Sequence, residues 1–120
     1  MVGISQNENK AAFAIPAGLQ AAGFRIIPIN PSATEVLGEQ AYASLDDVSE
    51  SVDIVEVFRP AAEAPDIARQ AVAIAAKAVW LQKGLVSAEA RSIAEAAGLD
   101  YVEDLCMGVV RSRYGVTKFS

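Results

Sequence analysis

The residues of this chain best suited to chemistry stand just after short apolar runs. The first loop, Gly3-Ile4-Ser5-Gln6-Asn7-Glu8-Asn9-Lys10, lets the backbone leave a strand sharply at Gly3, offers the Ser5 hydroxyl and sets the Lys10 ammonium beside the start of a helix. Outward N–H groups at a helix N-terminus, a small hydroxyl and a cation are the parts of a phosphate cradle. The same loop also reads as a plain strand-to-helix turn with a solvated lysine, because it holds neither a full G-x-G-x-x-G nor a Walker A sequence. Asn30-Pro31, Phe58-Arg59 and Gln82-Lys83-Gly84 close later runs in the same way. Phe58 either stacks on a purine or packs under a helix; Arg59 either meets an anion or pairs with Glu63 four residues on.

Other chemistries are excluded by what is missing. The chain has 120 residues, no His and one Cys, so the ordinary tetrahedral zinc sets cannot be assembled and no Ser-His or Cys-His pair exists. Adjacent Asp46-Asp47 point in different directions and suit a helix start. Asp53 and Glu56, an odd number of positions apart on a strand, face opposite sides and form no dyad. Lone Cys106 makes no internal disulfide; it is read as a small buried side chain in a reducing, cytoplasmic setting, with thiol exchange near the site as its other reading. A net charge of −5, from 10 basic and 15 acidic residues, argues against a bulk grip on nucleic acid. No apolar run reaches the roughly 18 residues of a membrane span.

Those loops need elements to hold them. Apolar runs at residues 1–4, 25–29, 52–58, 78–81 and 99–103 alternate with stretches of helical spacing, which predicts a parallel α/β sheet. Helices are expected over 13–22, ending at Gly23, over 64–76, and from Ser87 as cap to Ala97 before Gly98. Pro16 is expected in the first turn of its helix and Pro28 at the end of its strand. Residues 32–40 read as a loop, Tyr42-Ala43 as a short extended piece and 44–48 as a capped turn. Trp80, between Val79 and Leu81, is expected in the core. The result is a doubly wound, three-layer α/β fold of Rossmann-like type, its parallel five-stranded sheet in the order 3-2-1-4-5, with ligands at the C-terminal strand ends beside the switch point. One domain is expected over 1–107, followed by a tail over 108–120.

The combined pattern resembles the small CoA-binding proteins of the Rossmann type, relatives of the CoA-binding domain of the succinyl-CoA synthetase α subunit. The matching stretches are Val2-Gly3-Ile4-Ser5, residues 23–31, Gly38 with residues 42–45, residues 52–59, Val79-Trp80-Leu81-Gln82-Lys83-Gly84, and Gly98-Leu99 leading to residues 104–107. The resemblance implies coenzyme A or an acyl-CoA along the C-terminal sheet edge. Gly3, Ile4, Ser5 and Lys10 would meet the diphosphate or ribose phosphate, and Asn30 and Pro31 would floor the ribose. Phe58 and Arg59 would flank adenine or phosphate, and Gln82 and Gly84 would line the thiol arm. Family members usually place Pro and Ser where Ala11 and Ala12 stand here, so a helix cap worth about 1 kcal/mol is absent. Many also carry a helix before the first strand, which leaves one sheet face here exposed or open to a partner. The expected function is non-catalytic CoA binding, with a homo-oligomer or a partner enzyme possible in the assembly. The alternative is a dinucleotide- or CoA-using enzyme or subunit that needs a partner for acyl transfer or redox chemistry.

Overall fold

The chain runs through α1 (Ala11–Ala21), a hairpin of β1 (Glu35–Val36) and β2 (Glu39–Gln40), then β3 (Ile54–Val57), α2 (Ala64–Ala73), β4 (Ala78–Leu81), α3 (Ala88–Ala96) and β5 (Asp100–Val102). These elements belong to a computed structural model that describes residues 1–7 and 9–106. The tail expected over 108–120 lies outside the described residues.

β3, β4 and β5 are neighbours in that order and parallel, with Val55 opposite Val79 and Val79 opposite Tyr101. Beyond β3 the sheet continues as single parallel bridges, Val57 to Val2, Val2 to Ile29, and Ile29 to Tyr42. The expected order 3-2-1-4-5 is therefore corrected. The run 52–58, expected outside the second run, lies against the first, and the five predicted runs stand 2-1-3-4-5. Tyr42, from the short extended piece, occupies the outer place. The switch point falls between Val2 and Val57, so the first loop and Phe58-Arg59 share one crevice edge. Residues 25–28 form no regular strand because Pro28 has no N–H for a ladder bond; the segment is held by the Met1 amino group donating to Ile27 O and by Ile29 N–H donating to Met1 O, each at 3.1 Å.

Side-chain alternation builds the core. Val55, Val57, Val79 and Leu81 point to one face and are fully buried against Ala64, Ala68 and Ala71 of α2 and Ala90 and Ala94 of α3. Alanine at these helix positions lets the two helices approach closely, and each buried Val or Leu contributes about 1.5–3 kcal/mol. Ser87 caps α3 as expected, its Oγ accepting from Ala90 N at 3.1 Å. The opposite face carries α1, through Ile4, Leu19 and Ile26. Ile54 on that face is 42% exposed, so coverage there is partial. Trp80 lies on this second face, half-buried, with Nε1 donating to Leu105 O at 2.7 Å. Its expected core position is corrected by the pleat: Val79 and Leu81 take the α2–α3 side, so the residue between them cannot.

Two local expectations also change. Residues 35–40 form a hairpin whose two-residue turn, Leu37-Gly38, has φ of 54° and 76°, the positive pair that a type I′ turn requires. Pro16 is in the interior of α1, since the helix starts at Ala11. Proline there leaves the carbonyl of Ala12 without its helical donor. Ser5 N–H takes that place at 3.0 Å, tying the first loop to the helix it precedes.

Candidate ligand-binding rim

Gly3 sets the shape of the crevice. Its φ of +86° favours glycine, and a Cβ there would stand 2.8 Å from Arg59 Cδ and 3.1 Å from the backbone carbon of Phe58. Gly3 N–H donates to Ile29 O at 3.1 Å, and Phe58 N–H to Val2 O at 2.9 Å. The first loop, the end of β3 and the Ile29 segment are thus fastened together on both sides of the switch point. The aliphatic stem of Arg59 lies across Gly3, and its guanidinium makes a bidentate pair with Glu63, Nε to Oε1 at 3.2 Å and Nη2 to Oε2 at 2.7 Å. That pair raises the Arg59 pKa further above its ordinary value. Both side chains are about half exposed, so the pair is worth only about 0.3–0.5 kcal/mol.

After Gly3 the chain turns twice before entering α1. Ser5 Oγ accepts from Asn7 N at 3.0 Å, Asn7 Oδ1 accepts from Asn9 N at 3.0 Å, and Lys10 N donates to Asn7 O at 3.0 Å. Lys10 is the N-cap residue of α1 without a side-chain cap bond, and no acidic residue lies in the first turn. The positive end of the helix dipole is therefore left without an internal counter-charge in that turn. Lys10 itself is exposed beside it.

Asn30 is engaged elsewhere than expected. Its Nδ2 donates to Ile4 O at 2.9 Å and its Oδ1 accepts from Ser32 N at 2.8 Å. It positions the first loop through these two bonds, while Pro31 beside it stays exposed. Replacing Asn30 by Ala should cost about 1 kcal/mol through loss of its partly buried hydrogen bond to the Ile4 carbonyl. Denaturant unfolding of the variant checks this, and a loss under 0.5 kcal/mol would refute the pinning role.

Gln82 and Gly84 are also redirected. Gln82 is buried at 6% exposure and its Nε2 donates to Glu56 Oε1, so its side-chain amide is engaged by that carboxyl. Gly84 N–H is taken by Asp104 Oδ1 at 2.7 Å. The structure accordingly brings Gly3, Ile4, Ser5, Asn30, Phe58 and Arg59 into one fastened edge, with Lys10 at the head of α1, while Gln82 and the Gly84 amide have internal partners. Cys106 is half-buried and unpaired with sulfur.

Glu56 is the polar residue that sequence reading passed over. It is 1% exposed, and its Oε2 has no hydrogen-bond partner. Burial pushes its pKa up to about 9, with the nearby Met1 amino group pulling the other way. The available signal was one carboxylate set between Val55 and Val57 in an otherwise apolar run. A cavity of about 500 Å³ lies near the opposite, N-terminal strand ends, lined by Met1, Leu19, Phe24, Ile54 and Glu56 among others, away from the rim. Among the described residues no cluster of His, Cys, Asp or Glu is placed to hold a metal ion, and no helix is long and apolar enough to cross a membrane.

Fold and rim define a Rossmann-like α/β domain whose polar loops gather at the C-terminal strand ends. The chain belongs to the CoA binding domain family, whose model matches residues 1–112. It is 35% identical over 118 residues to the uncharacterized protein YneT of Bacillus subtilis (strain 168), covering 98% of this chain and 85% of that one. A 67-residue stretch is 31% identical to an ADP-forming acetate–CoA ligase of Methanocaldococcus jannaschii, covering 56% of this chain and 10% of the ligase. Among solved structures, the cell-free ID.343 protein of Thermus thermophilus superposes with a TM-score of 0.89 at 35% identity, over 93% of this chain and 85% of that chain.

Proposed function

We propose that the chain binds coenzyme A or an acyl-CoA at the C-terminal edge of the sheet, with the diphosphate over the first loop. In this reading it contributes no catalytic group of its own and holds the thiol cofactor for chemistry carried out by a partner. The observation that carries the proposal is the uncapped, acid-free start of α1, delivered by a glycine turn to the switch point of the sheet. Backbone N–H groups and a positive dipole end form a site for an anion in that place, and Lys10 and Arg59 supply the charge that a net acidic chain otherwise lacks. The ligase match supports the cofactor class, since that relative's name pairs acetate with CoA and the shared stretch is a tenth of its length. Asn30 at the end of the second run, where a dinucleotide site places an acid for the ribose, favours CoA over NAD.

Calorimetric titration with CoA, dephospho-CoA and NAD tests the reading. Saturable heat with CoA and much weaker heat with NAD is expected; no CoA heat at near-millimolar ligand would refute it. Lys10→Glu should weaken CoA binding about tenfold, equivalent to roughly 1.4 kcal/mol, while Lys83→Glu changes it less than twofold. Equal losses in both variants would move the diphosphate away from the first loop.

A further inference from the structure

We infer that Glu63 is a built-in counterion of the rim, which holds Arg59 across the first loop and yields it to the phosphate group of the ligand. The inference rests on the proposed CoA reading for the identity of the ligand, although not for the exchange itself. Its ground is a three-residue contact. The Arg59 stem packs on Gly3, and its guanidinium points to Glu63 through two hydrogen bonds of 3.2 and 2.7 Å. The guanidinium is thus held beside the crevice with its planar fork already occupied by a carboxylate. A phosphate group offers the same two-oxygen geometry with more charge.

Release of Arg59 is cheap on both sides. The pair is half exposed, at 49% and 47% of the two side chains, so water and salt already weaken it. Glu63 is also the N-cap residue of α2, and the positive end of that helix continues to stabilise its carboxylate when the guanidinium leaves. Glu63 therefore lowers apparent affinity by competing for Arg59, and it keeps the arginine ordered over Gly3 when no anion is bound. It is a positioning residue and touches no ligand atom.

The test titrates inorganic diphosphate and CoA by calorimetry into wild type, Glu63→Gln, Arg59→Ala and the double variant, and follows the Arg59 Nε–Hε resonance by NMR. Glu63→Gln should bind both ligands about threefold tighter, with the gain abolished in the Arg59→Ala background. Glu95→Gln on α3, which removes the same charge elsewhere, should leave affinity within 1.5-fold. In wild type the Arg59 Nε–Hε resonance should shift on adding diphosphate. Unchanged affinity in Glu63→Gln, a gain that survives without Arg59, or an equal gain in Glu95→Gln would overturn the inference. Tighter diphosphate binding without any CoA heat would leave the exchange standing and refute the CoA reading; CoA binding indifferent to Glu63 would do the reverse. No binding of either ligand to any variant would refute both.

Discussion

Gly3→Ala should lose about 1–3 kcal/mol of stability and at least tenfold in CoA affinity. The stability loss has two sources. An L-residue at φ +86° is strained by about 1–2 kcal/mol. The new Cβ would also meet Arg59 Cδ and Cγ at 2.8 and 2.9 Å and the Phe58 backbone carbon at 3.1 Å. Arg59 can swing aside, because its end is flexible and half exposed, but the Phe58 backbone is held by its hydrogen bond to Val2. The affinity loss follows from Arg59 leaving the crevice edge. Gly38→Ala is the matched comparison: its φ is +76° and no atom lies within 4 Å of the added Cβ, so it should show the backbone strain alone and wild-type CoA binding. Denaturant unfolding and calorimetry on both variants decide it. A Gly3→Ala protein as stable as Gly38→Ala and binding CoA like wild type would show that the turn is not the cradle.

Glu56→Gln should stabilise the protein progressively as pH rises. The Glu56 carboxyl is held neutral in the fold, with its pKa pushed from 4.5 to about 9 by burial. An acid raised in the folded state binds its proton more tightly there than in the unfolded chain, so its contribution is fully present below pH 4.5. It is then lost as pH climbs toward 9. Glutamine keeps a carbonyl for Gln82 Nε2 and does not titrate. The gap in unfolding free energy between variant and wild type should therefore widen by roughly 1.4 kcal/mol per pH unit across that window, about 3 kcal/mol by pH 7. The Met1 amino group is lowered to about 6, burial outweighing the upward pull of the Glu56 charge. Urea unfolding at pH 5, 7 and 9 measures it, and a constant gap would mean that Glu56 is ionised in the fold.

Glu56 and Gln82 mark where sequence pattern stops being informative. Alternation separated Asp53 from Glu56, and the structure has Asp53 exposed and Glu56 sealed. It said nothing about what crosses from the neighbouring strand. Glu56 lies opposite Trp80 in the β3–β4 register, and only that pairing puts Gln82, just past the end of β4, within reach of its carboxyl. Asn30 behaves likewise. Its position at the end of a run was legible, while its bonds to Ile4 and Ser32 depend on how the Ile29 segment docks beside Val2.

What the amino-acid order determined by itself was local: the alternation of β-branched runs and alanine-rich helices, the Ser87 cap, the loops that end the runs, and the i,i+4 reach of Arg59 to Glu63 as one of its two readings. These follow from propensity, spacing and i,i+4 reach, which act within one or two turns of chain. Tertiary structure alone decided that the run 52–58 lies against the first run, that Tyr42 takes the outer edge, and that Trp80 lies on the half-covered face. Strand neighbours are selected by the packing of whole layers, and a parallel run carries the same apolar signature whichever neighbour it receives.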